Sequence, residues 1–132
     1  MSNIVNGINW GTATKVDLGK VEKLVTRFLM QEEVILLAFK VVRDVHIMTT
    51  HRLMSIDVQG ITGTKKEIRT IPYGKISAFS VESAGTFDMD AELKIFVSGL
   101  DPLEIKLARE TDVAEITNIL AIATCTSSVL AN

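Results

Sequence analysis

The 132-residue chain has one cysteine, two prolines and one tryptophan, and aromatics make up only 5% of it. The lone Cys125 excludes an internal disulfide and a multi-cysteine zinc site, and it suits a reducing compartment. An excess of one charge is missing too. Fourteen basic residues stand against sixteen acidic ones, a formal net charge of −2 with a pI near 5.7. Nothing in that balance neutralises a phosphate backbone, so nucleic acid is not an expected partner. An anionic membrane is not favoured by the bulk charge either; only a local patch would act there. Long apolar runs are also lacking. The opening MSNIVNGINWG has neither the positive start nor the apolar core of a signal peptide. The most apolar late tract, residues 116–131, carries Thr117, Asn118, Thr124, Thr126, Ser127 and Ser128, which makes it too short and too polar to span a bilayer. A cytoplasmic location is the expectation.

What the chain does have is apolar content: 47% of residues, with a mean hydropathy of +0.29. One domain of this length buries roughly two-thirds of the surface its unfolded chain exposes. So rich a composition is expected to leave some apolar side chains outside, a first indication of an oligomer. Residues 1–15 show no periodicity and read as an extension, 16–124 as a single domain, and 125–132 as a tail.

Helical spacing begins at Leu18 and continues through Val21, Leu24, Val25 and Phe28, with Lys20, Lys23 and Arg27 opposite and Asp17 as N-cap. The period then changes. Val34 to Val42 is almost continuously hydrophobic and β-branched or aromatic, which suits a strand covered on both faces. Arg43-Asp44 connects it to Val45–Thr50, and Leu53–Val58 follows with Met54, Ile56 and Val58 on one face and Ser55 and Asp57 on the other. A turn at Gln59–Gly63 leads to a strand ending at Pro72, which has no amide to donate to a ladder. Ile76–Ser83 alternates, and Ala84-Gly85-Thr86 breaks the alternation. Glu92–Val97 and Leu103–Leu107, joined by Ser98–Pro102, are the clearest strands. Asp112 followed by Glu115 has the form of a capping box. The helix after it carries a stripe of Val113, Ile116, Leu120 and Ala123, with Ile119 and Ile122 off the stripe. The fold class is therefore mainly β with capping helices: a seven-stranded antiparallel sandwich or barrel, one helix before it and one after.

The middle of the chain adds a resemblance. AFKVVRD, then TTHRLMSIDVQGITG, then IPYGKISAFSVESAG, then DMDAELKIFVSG resemble the bacterial pleckstrin-homology-like domain family, in that order, within residues 18–123. The family tends to read Phe-Thr-Asn-Lys-Arg-Leu where this chain has Met48-Thr49-Thr50-His51-Arg52-Leu53, so a role for a lysine at position 51 does not carry over. The resemblance implies a pleckstrin-homology fold, no enzymatic activity, no cofactor, and assembly into ring-like homo-oligomers. A scaffold or adaptor that partners itself, and other proteins beside it, is the leading expectation. The alternative is a domain that binds lipid or an anionic small molecule.

For that alternative the candidate residues are Lys40, Arg43 and Arg52, if their side chains converge at the open end of the sandwich. Two or three cations without a glycine-rich nest or a helix N-terminus hold anions weakly. For a subunit interface the candidates are Ile119 and Ile122 on the last helix and Val34 and Leu36 on the two-sided strand. Other chemistry finds little support. His46 and His51 have opposite strand parity across a turn, Asp88–Glu92 lacks the glycine and later glutamate of a calcium loop, and no metal site is expected. Lys65-Lys66 sits in no phosphate-loop pattern, and neither Cys125 nor any serine stands in a nucleophile motif.

Overall fold

The computed structural model describes residues 18–41, 44–59, 64–83, 91–107 and 111–130. Helix α1 (Leu18–Val25) runs into a 3₁₀ turn (Thr26–Phe28), then strands β1 (Ile35–Val41), β2 (Asp44–Thr49), β3 (Arg52–Gln59) and β4 (Lys65–Pro72). A second 3₁₀ turn (Tyr73–Lys75) leads to β5 (Ile76–Ser83), β6 (Ala91–Val97), β7 (Leu103–Leu107) and helix α2 (Val113–Thr124). Every sheet neighbour is antiparallel and sequential: β1-β2-β3-β4 form one sheet and β5-β6-β7 the other. The strands and both helices fall where hydrophobic periodicity predicts them. The glycine turn at residues 60–63, the break at 84–86 and the N-cap Asp17 lie outside the described residues.

Strand β1, like β2 beside it, is covered on both faces, which is why residues 34–42 show no alternation. The first sheet's inner face contributes Leu37, Phe39, Met48, Leu53 and Ile71 to the main core, with Leu93, Ile95, Ile105 and Leu107 from the second sheet and Ile116 and Leu120 from α2. Its outer face carries Ile35, Ala38, Ile47, Met54 and Ile56 beneath Val21 and Val25 of α1. A register shift between Ile35 and Leu37 lets β1 serve both layers.

Helix α2 closes one end of the sandwich. Asp112 Oδ1 accepts from the Glu115 amide at 3.1 Å, so the N-cap forms as predicted. The reciprocal half of the capping box does not: Glu115 Oε1 is buried without a hydrogen-bond partner, and burial, reinforced by the charge of Asp112, pushes its pKa up. The helix ends at Thr124, and residues 125–130 are non-helical.

Candidate functional site

Two polar constellations stand out in this apolar frame. The first joins the start of β1 to the β2–β3 turn. Glu33 lies two residues before β1, and its side chain is fully buried. It receives Arg52 Nε on Oε2 at 2.9 Å and Arg52 Nη2 on Oε1 at 3.0 Å, the fork geometry that suits a guanidinium to a carboxylate. Thr49 Oγ1 donates to Oε2 and the Met30 amide to Oε1. Burial pushes the Glu33 carboxyl up, but bonds from Arg52, Thr49 and Met30 with the charge of Arg52 outweigh it and hold the pKa at about 2. Arg52 also donates to the Phe28 carbonyl at the end of the first 3₁₀ turn and to Thr70 Oγ1 on β4. Tyr73 Oη donates to the Thr49 carbonyl at 2.7 Å, and burial, then the charge of Glu33, push its phenol up. The cluster clamps the first 3₁₀ turn and the segment before β1 to strands β2, β3 and β4.

The second constellation is a cleft lined by Asp44, His46, Ser55, Asp57, Glu67, Arg69 and Leu103. Strand register builds it. His46 pairs with Ser55 and Ser55 with Arg69; one step further along, Asp57 pairs with Glu67. By parity these residues share the inner face with Met48, Leu53 and Ile71. The face thus turns from apolar to polar within one row, where the short β7 begins at Leu103. Ser55 Oγ and His46 Nδ1 share a hydrogen bond of 2.9 Å, and the Phe39 ring lies against the imidazole with centroids 5.4 Å apart. Burial lowers the His46 pKa to about 4 despite the opposing charge of Asp44. Near neutrality the imidazole is uncharged, and Asp44, Asp57 and Glu67 share the lining with Arg69. Arg69 Nη2 lies 3.7 Å from Glu67, and Gln59 Nε2 donates to Asp57 at 3.0 Å. Among the described residues no group of three or more His, Cys, Asp or Glu side chains is arranged to hold a metal ion.

The residues named from sequence separate. Arg43 lies outside the described residues. Lys40 is exposed near the far end of β1, paired with Val45, whereas Arg52 stands beside Thr49, which pairs with Ile35. Five residues of strand between those ends amount to roughly 17 Å. The structure therefore does not bring Lys40 and Arg52 together, and the Arg52 guanidinium is held by Glu33. Val34, Leu36 and Ile119 are half-buried, and Ile119 packs against the main core of its own chain. Ile122 is open, at 71% exposure. His46 is buried and His51 exposed with its Nδ1 on Thr50 Oγ1, so the two imidazoles do not share a site.

Glu33 and the His46–Ser55 pair were not named from sequence. The pair was within reach: paired positions in a hairpin share one index sum, and the β2–β3 turn centred on residues 50–51 sets 46 opposite 55. Glu33 gave no such signal, because its partner lies across a turn nineteen residues away in sequence.

Comparison with known proteins agrees with the architecture. The family model for the bacterial PH domain matches residues 6–124. A Bacillus subtilis (strain 168) protein described as uncharacterized protein YjqA is 41% identical over 113 residues, covering 84% of this chain and 90% of that one. A crystal structure of a DUF1696 family protein with a pleckstrin-homology domain from Shewanella loihica PV-4 superposes with a TM-score of 0.76 at 42% identity, covering 86% of this chain and 98% of that one. A pleckstrin homology domain from Shewanella amazonensis SB2B gives a TM-score of 0.67 at 47% identity over 86% of this chain and 92% of that one. The seven-stranded sandwich with its closing helix is a pleckstrin-homology fold, and the chain belongs to the bacterial PH domain family.

Proposed function

We propose that this PH-like domain is a non-enzymatic interaction module that assembles with copies of itself, in a ring, as a scaffold or adaptor. One observation carries the reading: the C-terminal helix and tail leave Ile122, Val129 and Leu130 at 71%, 101% and 90% exposure. Water contact with three aliphatic side chains within residues 122–130 is relieved by burial at about 25 cal/mol per Å² of apolar area, which favours a protein contact. The near-neutral charge leaves self-repulsion small.

The cleft supports neither rival function. Asp57 in it repels a phosphate or an anionic headgroup, Glu67 already stands beside Arg69, and Glu33 already neutralises Arg52. A hydroxyl against an imidazole is half of a nucleophilic pair, but an imidazole held near pKa 4 is a poor general base at neutral pH. The test is Ile122→Asp. Light scattering is expected to show the mass falling toward that of the single chain with the melting temperature unchanged. An unchanged mass would remove the helix from the interface.

A further inference from the structure

Strand register sets two carboxylates face to face in the cleft. Asp57 on β3 pairs directly with Glu67 on β4, and both residues line the same recess. Like charges directly opposite each other across a ladder destabilise a sheet. Arg69 relieves only part of that cost. It stands opposite Ser55, one row away from Asp57, and its Nη2 lies 3.7 Å from Glu67 with both side chains about half exposed. A pair that long and that open holds weakly. Asp57 itself takes a neutral donor, the Gln59 amide, and among the described residues no Lys or Arg pairs with it.

A buried side chain in the same recess adds an acceptor. His46 is 6% exposed and Ser55 7%, so both belong to the interior while lining the cleft. Their bond uses Nδ1, and among the described residues Nε2 has no hydrogen-bond partner, which leaves it for whatever fills the cleft. With Nδ1–H donating to Ser55 Oγ, Nε2 carries a lone pair and accepts. Burial keeps the imidazole uncharged at neutral pH, so it neither repels a cation nor loses that lone pair. Half-buried Leu103 supplies an apolar wall. The space is about 120 Å³, which holds roughly four waters at about 30 Å³ each and so admits a ligand of a few heavy atoms.

We propose that the cleft binds a small primary amine, its ammonium held between Asp57 and Glu67 and donating to His46, its short alkyl stem against Leu103. An ammonium has three N–H donors and no acceptor, which matches acceptors on β2, β3 and β4. Bonds from a charged donor to a carboxylate are the strong kind. A metal ion needs a ligand set that the described residues do not assemble, whereas an amine brings its own directed donors. A quaternary ammonium has the charge without an N–H, and an alcohol has the stem without the charge. Neither meets what the cleft offers. The site lies within one chain and stands independently of self-association.

Thermal melting of the full chain tests it, because a ligand that binds only the folded state raises the melting temperature with its concentration. Propylammonium chloride is expected to do so. Tetramethylammonium chloride, propan-1-ol and sodium chloride at the same concentrations are expected not to. Asp57→Asn removes one of the opposed carboxylates, so without amine it is expected to melt no lower than the wild type. It is also expected to need at least roughly tenfold more propylammonium for the same rise. Glu67→Gln is expected to behave in the same way. Glu104→Gln, at an exposed position of β7 outside the cleft lining, is expected to respond as the wild type does. An equal rise with tetramethylammonium or sodium chloride, or an undiminished response in Asp57→Asn, overturns the site. So does an Asp57→Asn variant that melts well below the wild type without amine, which would assign that carboxylate to the fold.

Discussion

Replacing Arg52 by methionine removes the charge that balances a buried carboxylate while keeping most of the side chain's apolar stem. Glu33 has a fully buried side chain and takes two of its four hydrogen bonds from Arg52. Breaking a buried ion pair from one side costs about 3–5 kcal/mol. Set against a total stability of roughly 5–15 kcal/mol, that lowers the melting temperature by roughly 10–20 °C for a chain of this size. Linkage gives a second figure. The Glu33 pKa falls from 4.5 to about 2 on folding, a contribution of about 3 kcal/mol at neutral pH. Because the folded value is the depressed one, that stability is present above pH 4.5 and is lost as pH falls toward 2. Urea unfolding of wild type, Arg52→Met, Glu33→Gln and the double variant, at pH 7 and at pH 3, measures both. The double variant is expected to lose less than the sum of the singles, with a coupling of at least about 2 kcal/mol. The Arg52→Met deficit is expected to shrink at pH 3. A loss under about 1 kcal/mol at pH 7, or strict additivity, would refute the clamp and free Arg52 for a ligand.

Three further outcomes follow from the same geometry. His46 folds with its pKa lowered from 6.5 to about 4, so the unfolded chain takes up its proton first and stability falls as pH drops through that window. An NMR titration should find this imidazole still neutral at pH 5.5, and His46→Gln should flatten the acid limb of stability between pH 6.5 and 4. Tyr73→Phe leaves the Thr49 carbonyl without its phenol donor and is expected to cost about 1–3 kcal/mol in chemical denaturation, with no change in oligomeric mass. Vesicles rich in anionic lipid are expected not to bind the protein in flotation even at low salt, where attraction to Lys40 is least screened. Flotation at low salt that disappears at high salt would restore the anionic-ligand reading.

Much of the fold was legible because periodicity reports burial directly. Leu93, Ile95 and Val97 alternate with Glu92, Lys94 and Phe96, and the structure buries the first three. The unbroken stretch around Leu37 and Phe39 signalled a strand covered on both sides, and α1 supplies the second cover. The site was far less legible. Ser55 and Asp57 stand opposite Met54 and Ile56 as parity requires, but which of the two faces is the interior depends on where α1 and the second sheet pack. Ile119 lies off the helix stripe by its angle, and it is half-buried against the core beneath α2. Glu33 carries no periodic signal, and the tertiary approach of Arg52 makes its burial tolerable.

The central claim is that the domain is built to meet copies of itself. Light scattering coupled to size exclusion on the wild-type chain, loaded at tens of micromolar, measures that directly. The account predicts a single species whose mass is a whole multiple of 14.5 kDa, two or greater. A sharp peak at 14.5 kDa would contradict it.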